Sequence, residues 1–91
     1  MPKVARHVRV TGRVQGVFFR AWTKEKAREL GIKGWVRNCP DGSVEAHFQG
    51  DESAVRWLID IIYDGPGGAR VDRVDAREAA VEDLSAFEVR H

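Results

Sequence analysis

The spacing of the apolar residues changes along the chain, and the order of these changes is what most limits the possible folds. Over residues 4–11 the apolar side chains favour every second position, which predicts a half-buried strand. A helical spacing then runs from Phe19 to Leu30 and ends at Gly31, a suitable C′ glycine. A second helical stretch follows the i, i+3, i+4, i+7 rule through Val55, Leu58, Ile59 and Ile62.

Between the two helices the sequence predicts a β-hairpin. Residues 32–39 form its first strand, and the turn 40–42 is Pro-Asp-Gly, in which proline fixes φ and glycine allows positive φ. In the next strand the apolar Val44, Ala46 and Phe48 alternate with the polar Glu45, His47 and Gln49. This alternation predicts a strand with one dry face.

The remaining segments complete the predicted fold. Asp51 is expected to cap the second helix, which ends at the turn 65–68, Gly-Pro-Gly-Gly. Residues 69–76 predict a fourth strand with a bulge, because Val71 and Val74 are out of phase, and Phe87 and Val89 indicate a short last strand. The order β-α-β-β-α-β predicts an α+β, ferredoxin-like sandwich, with both helices on one face of an antiparallel sheet and the other face open.

Composition narrows the possible partners. The 91 residues suit a single domain over residues 1–91, and 43% hydrophobic and 32% charged residues are typical of a globular chain. A net charge of +1 argues against nucleic acid or an anionic membrane as a partner. The single Cys39 excludes an internal disulfide, and no segment is long and apolar enough to be a signal or a membrane span. We therefore expect a cytoplasmic monomer.

The segment from Gly12 to Arg20 has the features of an anion-binding loop. It joins a strand to a helix, where unpaired backbone N–H groups and the helix dipole attract negative charge. Its glycines allow successive amides to point into one concavity, and Arg20 in the first helical turn could reach back over it. A cation there opposes the dipole, as is typical of a residue retained for function. We expect the apolar run Val17-Phe18-Phe19 to hold the loop rigid and shield it from water.

Other phosphate-binding motifs do not fit this chain. After Gly12 and four intervening residues comes Val17 rather than the Gly-Lys pair of a Walker A loop. The dinucleotide fingerprint fails both here and at residues 65–70. A cysteine phosphatase would need an arginine six residues after its nucleophile, and the sixth residue after Cys39 is Glu45. An exposed arginine beside a tight turn remains the alternative explanation of the loop.

Two signatures in the chain closely resemble the acylphosphatase family. The first, Gly-x-Val-Gln-Gly-Val-x-Phe-Arg, is matched by Gly12, Val14, Gln15, Gly16, Val17, Phe19 and Arg20. The second, Gly-Trp-Val-x-Asn followed by Asp-Gly-x-Val, is matched by Gly34, Trp35, Val36, Asn38, Asp41, Gly42 and Val44. Phe18 and Cys39 occupy positions where the family varies. The resemblance covers essentially the whole chain and agrees with the predicted ferredoxin-like fold.

The resemblance implies an enzyme that hydrolyses acyl phosphates to a carboxylate and inorganic phosphate, without a metal or other cofactor. It implies that Arg20 and Asn38 are the catalytic residues, Arg20 binding the phosphate and Asn38 positioning the attacking water. The substrate-binding group is expected to be the loop Gln15, Gly16, Val17, Phe18, Phe19 and Arg20.

Several alternatives are open at this point. On the residues alone, Asn38 could support the neighbouring turn, because asparagine favours such sites. The same signatures begin a larger hydrogenase-maturation carbamoyl transferase, so a non-catalytic module that binds phosphate or carbamoyl phosphate is a second possible function. An RNA-binding sheet is disfavoured, since the third strand combines a single aromatic residue with an acid. We expect no metal site at the widely separated His7, His47 and His91, and packing roles for Trp22, Trp35 and Trp57.

Overall fold

A computed structural model describes residues 3–90 of the chain, in which one sheet carries two helices. The elements are β1 (Lys3–Arg13), α1 (Phe19–Glu29), β2 (Lys33–Asn38), β3 (Val44–Asp51), α2 (Glu52–Asp64), β4 (Arg70–Glu78) and β5 (Phe87–Arg90). His91 lies outside the described residues. None of the helices within residues 3–90 is long and apolar enough to cross a membrane.

The strand order β4-β1-β3-β2-β5 confirms the ferredoxin-like α+β fold. The first four strands pair antiparallel, as predicted, but β5 pairs parallel to β2, with Val36 opposite Val89. The sheet is therefore mixed. The parallel pairing was not predicted, since the sequence pattern of β5 indicates a strand but not its neighbour.

The hydrophobic core lies between the sheet and the helices. α1 packs over β2 and β5, and α2 packs over β4, β3 and β1. Alternate residues of the central strands enter this core, as the two-residue spacing predicted. The buried core residues include Val8, Val10, Phe19, Ala27, Val36, Ala46, Phe48, Val55, Leu58 and Ile62.

The ends of the helices agree only in part with the prediction. Gly31 follows α1 with a positive φ of 71°, and the N–H of Ile32 donates to the carbonyl of Ala27 at 2.8 Å, which is a Schellman ending. The expected side-chain cap of α2 was wrong. Asp51 occupies the N-cap position but makes no capping hydrogen bond, and its backbone still pairs with Lys3 in the sheet.

The bulge predicted in the fourth strand is confirmed. Thr11 lies opposite Arg73 and Gly12 opposite Val71, so Asp72 is the extra residue in β4. Beyond it, Arg73 pairs with Asp75 at 3.0 Å on an exposed surface, as expected of a solvated strand face.

The face of the sheet opposite the helices is not fully open, which corrects the prediction. His47 and Gln49, expected on an open polar face, are 2% and 5% exposed. The segment 79–86 is hydrogen-bonded onto this face, where the N–H of Glu82 donates to Gln49 Oε1 and Gln49 Nε2 donates to the Glu82 carbonyl, at 2.9 and 2.8 Å. The Trp35 ring stacks on His47 at 6.1 Å. Trp57, by contrast, is 58% exposed, so its predicted packing role was wrong.

Candidate active site

The loop over residues 14–18 connects β1 to α1 and is anchored at both ends by apolar side chains. Val14 and Phe19 are almost fully buried, and Val17 is half-buried against the core. Gly16 between them is exposed and has φ 72°, in the left-handed region that glycine tolerates. The sequence thus fixes the two ends of the loop and leaves the backbone between them open to solvent.

Phe18 departs from the expectation that the apolar run shields the loop. Its side chain is 85% exposed, because the residue adopts a left-handed conformation at the N-cap of α1, with φ 60° and ψ 22°. It is the one non-glycine residue with positive φ within residues 3–90. Its carbonyl accepts a hydrogen bond from the N–H of Trp22 at 2.9 Å, so the main chain is held by the helix.

A cavity of about 320 Å³ lies beside this loop and brings the two sequence signatures together. Arg20 from the first signature and Asn38 from the second both contribute to its wall. Of the predicted loop residues, Gln15 and Val17 are not on the wall. The lining residues are Val14, Gly16, Phe18, Phe19, Arg20, Ala21, Asn38 and Val89.

Arg20 lies in the first turn of α1 and is half-buried. The first turn of this helix holds no acidic residue and its N-cap makes no side-chain hydrogen bond, so the positive end of the dipole is not offset locally. One guanidinium nitrogen, Nη1, donates to the carbonyl of Arg90 at 3.1 Å. The backbone of β5 therefore helps to orient the arginine at the cavity.

Asn38 is the last residue of β2, where the strand turns toward β3. Its Oδ1 is buried and accepts no hydrogen bond from any residue in the described part of the chain. The turn is stabilised instead by Asp41, whose Oδ1 accepts hydrogen bonds from the Ser43 N–H and hydroxyl at 2.9 and 2.6 Å. These bonds lower the pKa of the Asp41 carboxyl. The geometry thus disfavours the reading of Asn38 as a turn-supporting residue.

Gln15 has a side-chain role that sequence reasoning missed. Its Nε2 donates to the carbonyls of Cys39 and Ser43, at 2.9 and 2.8 Å. Both acceptors lie in the connection that follows Asn38, so Gln15 joins the loop to the turn next to the asparagine. A long amide with two donor hydrogens beside a glycine was the signal available in the sequence, but only the fold shows its acceptors.

β5 makes three contacts at or near the site that the sequence could not show. Val89 lies on the cavity wall, and the Arg90 carbonyl receives the hydrogen bond from Arg20. The guanidinium of Arg90 lies 5.0 Å from the centre of the Trp35 ring. These contacts follow from the parallel pairing of β5 with β2.

The other residues considered from the sequence lie away from this cavity wall. Cys39 is buried, and His7 hydrogen-bonds through Nε2 to Glu45 at 2.9 Å on the opposite face of the sheet. No group of three or more His, Cys, Asp or Glu side chains within residues 3–90 is placed to share a metal ion.

Known proteins resemble this chain in both sequence and structure. Residues 6–89 match the family model named Acylphosphatase. An acylphosphatase of Acidovorax sp. is 49% identical over 96% of this chain and 90% of its own length. The structure of an acylphosphatase from Coxiella burnetii superposes with a TM-score of 0.94, at 42% identity, over 97% of this chain and 93% of that one. The structure of HypF from T. kodakarensis gives a TM-score of 0.85 at 29% identity, over 99% of this chain but 12% of that longer one.

Proposed function

This chain belongs to the acylphosphatase family and is an enzyme that hydrolyses acyl phosphates, and on that basis we propose how its residues divide the work. Arg20 and the amides of residues 15–20 hold the phosphoryl group. Asn38 positions the water that attacks phosphorus. The observation that carries this proposal is that one cavity is lined by both Arg20 and Asn38, with the buried Asn38 Oδ1 lacking a protein partner within residues 3–90.

The reaction makes modest demands on acid catalysis. Water adds to phosphorus, the bond from phosphorus to the acyl oxygen breaks, and the carboxylate leaves with the bonding electrons. Carboxyl groups have pKa values near ~4, so the leaving group needs no strong proton donor. What the protein must supply is alignment of the water and stabilisation of the charge on the phosphoryl oxygens.

Phosphate binding rests on two kinds of donor. Exposed backbone at Gly16 and the uncapped N-terminus of α1 offer amide N–H groups that favour an anion. Arg20 adds a planar guanidinium that matches two phosphate oxygens at once. Its hydrogen bond from Nη1 to the Arg90 carbonyl orients the guanidinium at the cavity wall.

Positioning of the water falls to the Asn38 amide, which can both accept from and donate to a water molecule. An amide cannot remove the proton from that water. The proton therefore passes to an oxygen of the substrate phosphate, which leaves as inorganic phosphate. The proposed mechanism needs no metal ion at any step.

The test uses the full chain with acetyl phosphate or benzoyl phosphate in excess chelator. Phosphate release well above spontaneous decay, inhibited by inorganic phosphate, is the expected result. A rate equal to spontaneous decay with inorganic phosphate still bound would contradict the proposal and favour a non-catalytic module. We further propose that the protein acts as a monomer in the cytoplasm, which size-exclusion chromatography with light scattering and cell fractionation would test.

A further inference from the structure

We propose that the Phe18 side chain is the binding surface for the acyl group, so that this site prefers acyl phosphates whose acyl group is aromatic. The inference rests on the proposed function, because it names the substrate class of that same cavity. Phe18 is the most exposed of the large hydrophobic side chains within residues 3–90, at 85%. It lies on the wall of the cavity that also presents Arg20 and Asn38.

The backbone of Phe18 explains why its side chain is held in solvent. The residue keeps a left-handed conformation that is unfavourable for a side chain with a Cβ atom. It does so at the start of α1, where its carbonyl accepts the N–H of Trp22 at 2.9 Å. Its neighbour Phe19 turns into the core and is 2% exposed. The aromatic ring of Phe18 is thus projected from a fixed main chain, although nothing apolar within residues 3–90 buries it.

The other apolar residues of the cavity wall are less suited than Phe18 to contact an acyl group. Val14 and Phe19 are buried and Val89 is half-buried, so they offer little apolar surface to a ligand. Ala21 is exposed on the wall but carries only a methyl group. An exposed phenyl ring beside a polar, anion-binding cavity suits a ligand with a charged end and a flat apolar end.

The geometry of phosphoryl transfer requires a place for the departing acyl group. The attacking and leaving oxygens lie roughly in line on opposite sides of phosphorus. With the water held at Asn38, the acyl group departs on the side away from that residue. Among the residues of the wall, Phe18 offers the largest exposed apolar side chain for that group. A phenyl group would gain contact with the ring, whereas a methyl group would gain little.

The experiment compares benzoyl phosphate with acetyl phosphate on the full-length protein and on the variant Phe18→Ala. Alanine keeps the unfavourable left-handed backbone, so it removes the ring without relieving the main chain. We expect the ratio of kcat/KM for benzoyl phosphate over acetyl phosphate to fall about three- to tenfold, the size of an aromatic pair contact. Phe18→Tyr, which keeps the ring, should leave that ratio close to the unmodified protein.

A matched control is Trp57→Ala, since Trp57 is another exposed aromatic residue but lies on α2, beside a separate surface depression lined by Arg56 and Asp60. This control should not change the ratio. An unchanged ratio in Phe18→Ala, or an equal fall in Trp57→Ala, overturns the inference while hydrolysis itself persists. Failure of the unmodified protein to hydrolyse either compound would instead overturn the proposed function, and this inference with it.

Discussion

Arg20 illustrates how a single side chain can be placed against its local preference. A cation at a helix N-terminus opposes the dipole by about 0.3–1 kcal/mol, and α1 has no acid in its first turn to offset it. The guanidinium of this half-buried residue is oriented by the carbonyl of Arg90 on the edge strand β5. Placing the guanidinium at the cavity therefore lowers the local stability of α1.

Replacing Arg20 with alanine or lysine should show whether phosphate binding needs only a positive charge or also the planar guanidinium. We expect Arg20→Ala to lose both turnover and inorganic phosphate binding, and Arg20→Lys to restore little of either, because an ammonium lacks the planar fork. Phosphate release and calorimetric phosphate binding measure the two effects. Arg28→Lys, at the opposite end of α1, is the control for a general effect of the exchange. Near-normal activity in Arg20→Lys would contradict the two-oxygen contact.

Asn38 should act on turnover rather than on phosphate binding. Loss of one preorganised polar group costs about 2.7–4 kcal/mol of transition-state stabilisation, or roughly 10²–10³ in kcat. We therefore expect Asn38→Ala to lose turnover to about that extent while inorganic phosphate still inhibits or binds. A variant with near-normal kcat would remove the water-positioning role from this residue.

At the scale of elements, the glycine of the second signature is explained by the approach of two strands. Gly34 in β2 has a positive φ of 150°, and a Cβ atom built there would overlap the carbonyl oxygen of His47 in β3. The residue pairs with Phe48 on that side and with Phe87 of β5 on the other. A side chain at this position would push β3 away from β2, the strand that carries Asn38.

Gly34→Ala should therefore destabilise the fold by more than about 2 kcal/mol, in the range of strain at a special backbone position. The free energy of unfolding in urea measures this change. Gly67→Ala is the control, because a Cβ there would meet no atom within 4 Å, and we expect it to change stability by less than about 1 kcal/mol. Equal midpoints for the two variants would refute the steric explanation.

The elements differ in how far the sequence predicts them. The apolar spacing predicts α2 because a single face of this helix packs on the sheet. The bulge at Asp72 is predicted by the two valines of β4 that are out of phase. The pairing of β5 depends on a free edge of β2, and the burial of Gln49 on a segment 33 residues away. Local patterns carry no record of such distant neighbours.

Across the whole molecule, Glu45 connects three strands on the face opposite the helices. Its carboxylate forms hydrogen-bonded ion pairs with Arg37 Nε in β2, at 2.6 Å, and with His7 Nε2 in β1, at 2.9 Å. Burial by itself would raise the pKa of the Glu45 carboxyl, but the hydrogen bonds and charges of Arg37 and His7 outweigh it and hold the pKa below its ordinary value. The folded state therefore favours the ionised carboxylate.

This lowered pKa sets the sign of an acid effect. The stability that Glu45 contributes is fully present above its pKa in the unfolded chain, and it is lost as the pH falls through the lower pKa of the folded state. We expect Glu45→Gln to lower the free energy of unfolding at about pH 7 by on the order of 1 kcal/mol, and the difference from the unmodified protein to shrink toward about pH 3.

Urea unfolding across this pH range measures the effect. Glu29→Gln is the control. The carboxylate of Glu29 is 59% exposed and its ion pair with Lys26 Nζ is long, at 3.6 Å, so this pair contributes little to stability. A difference between Glu45→Gln and the unmodified protein that stays constant with pH would contradict the assigned role of the carboxylate.

The candidate site could be predicted from the sequence to a similar extent as the fold. Arg20 and Asn38 stand in two signatures, and the cavity that both line agrees with the predicted pairing. Gln15 and Val89 were beyond reach as side chains of the site, because their roles depend on a turn 24 residues away and on an edge strand. The exposure of Phe18 depends on one φ angle that an apolar run does not reveal.

The hydrogen bond from Arg20 to the Arg90 carbonyl spans 70 residues of sequence. Contacts of that separation form late, because their loop-closure entropy must be met before they return any stability. In a nascent or partly folded chain, β1, α1 and the loop between them can form before β5 pairs with the sheet. Arg20 then still lacks its hydrogen bond to the Arg90 carbonyl. Competence for hydrolysis should therefore arise in one step with completion of the sheet, and activity regained during refolding should lag behind helix formation.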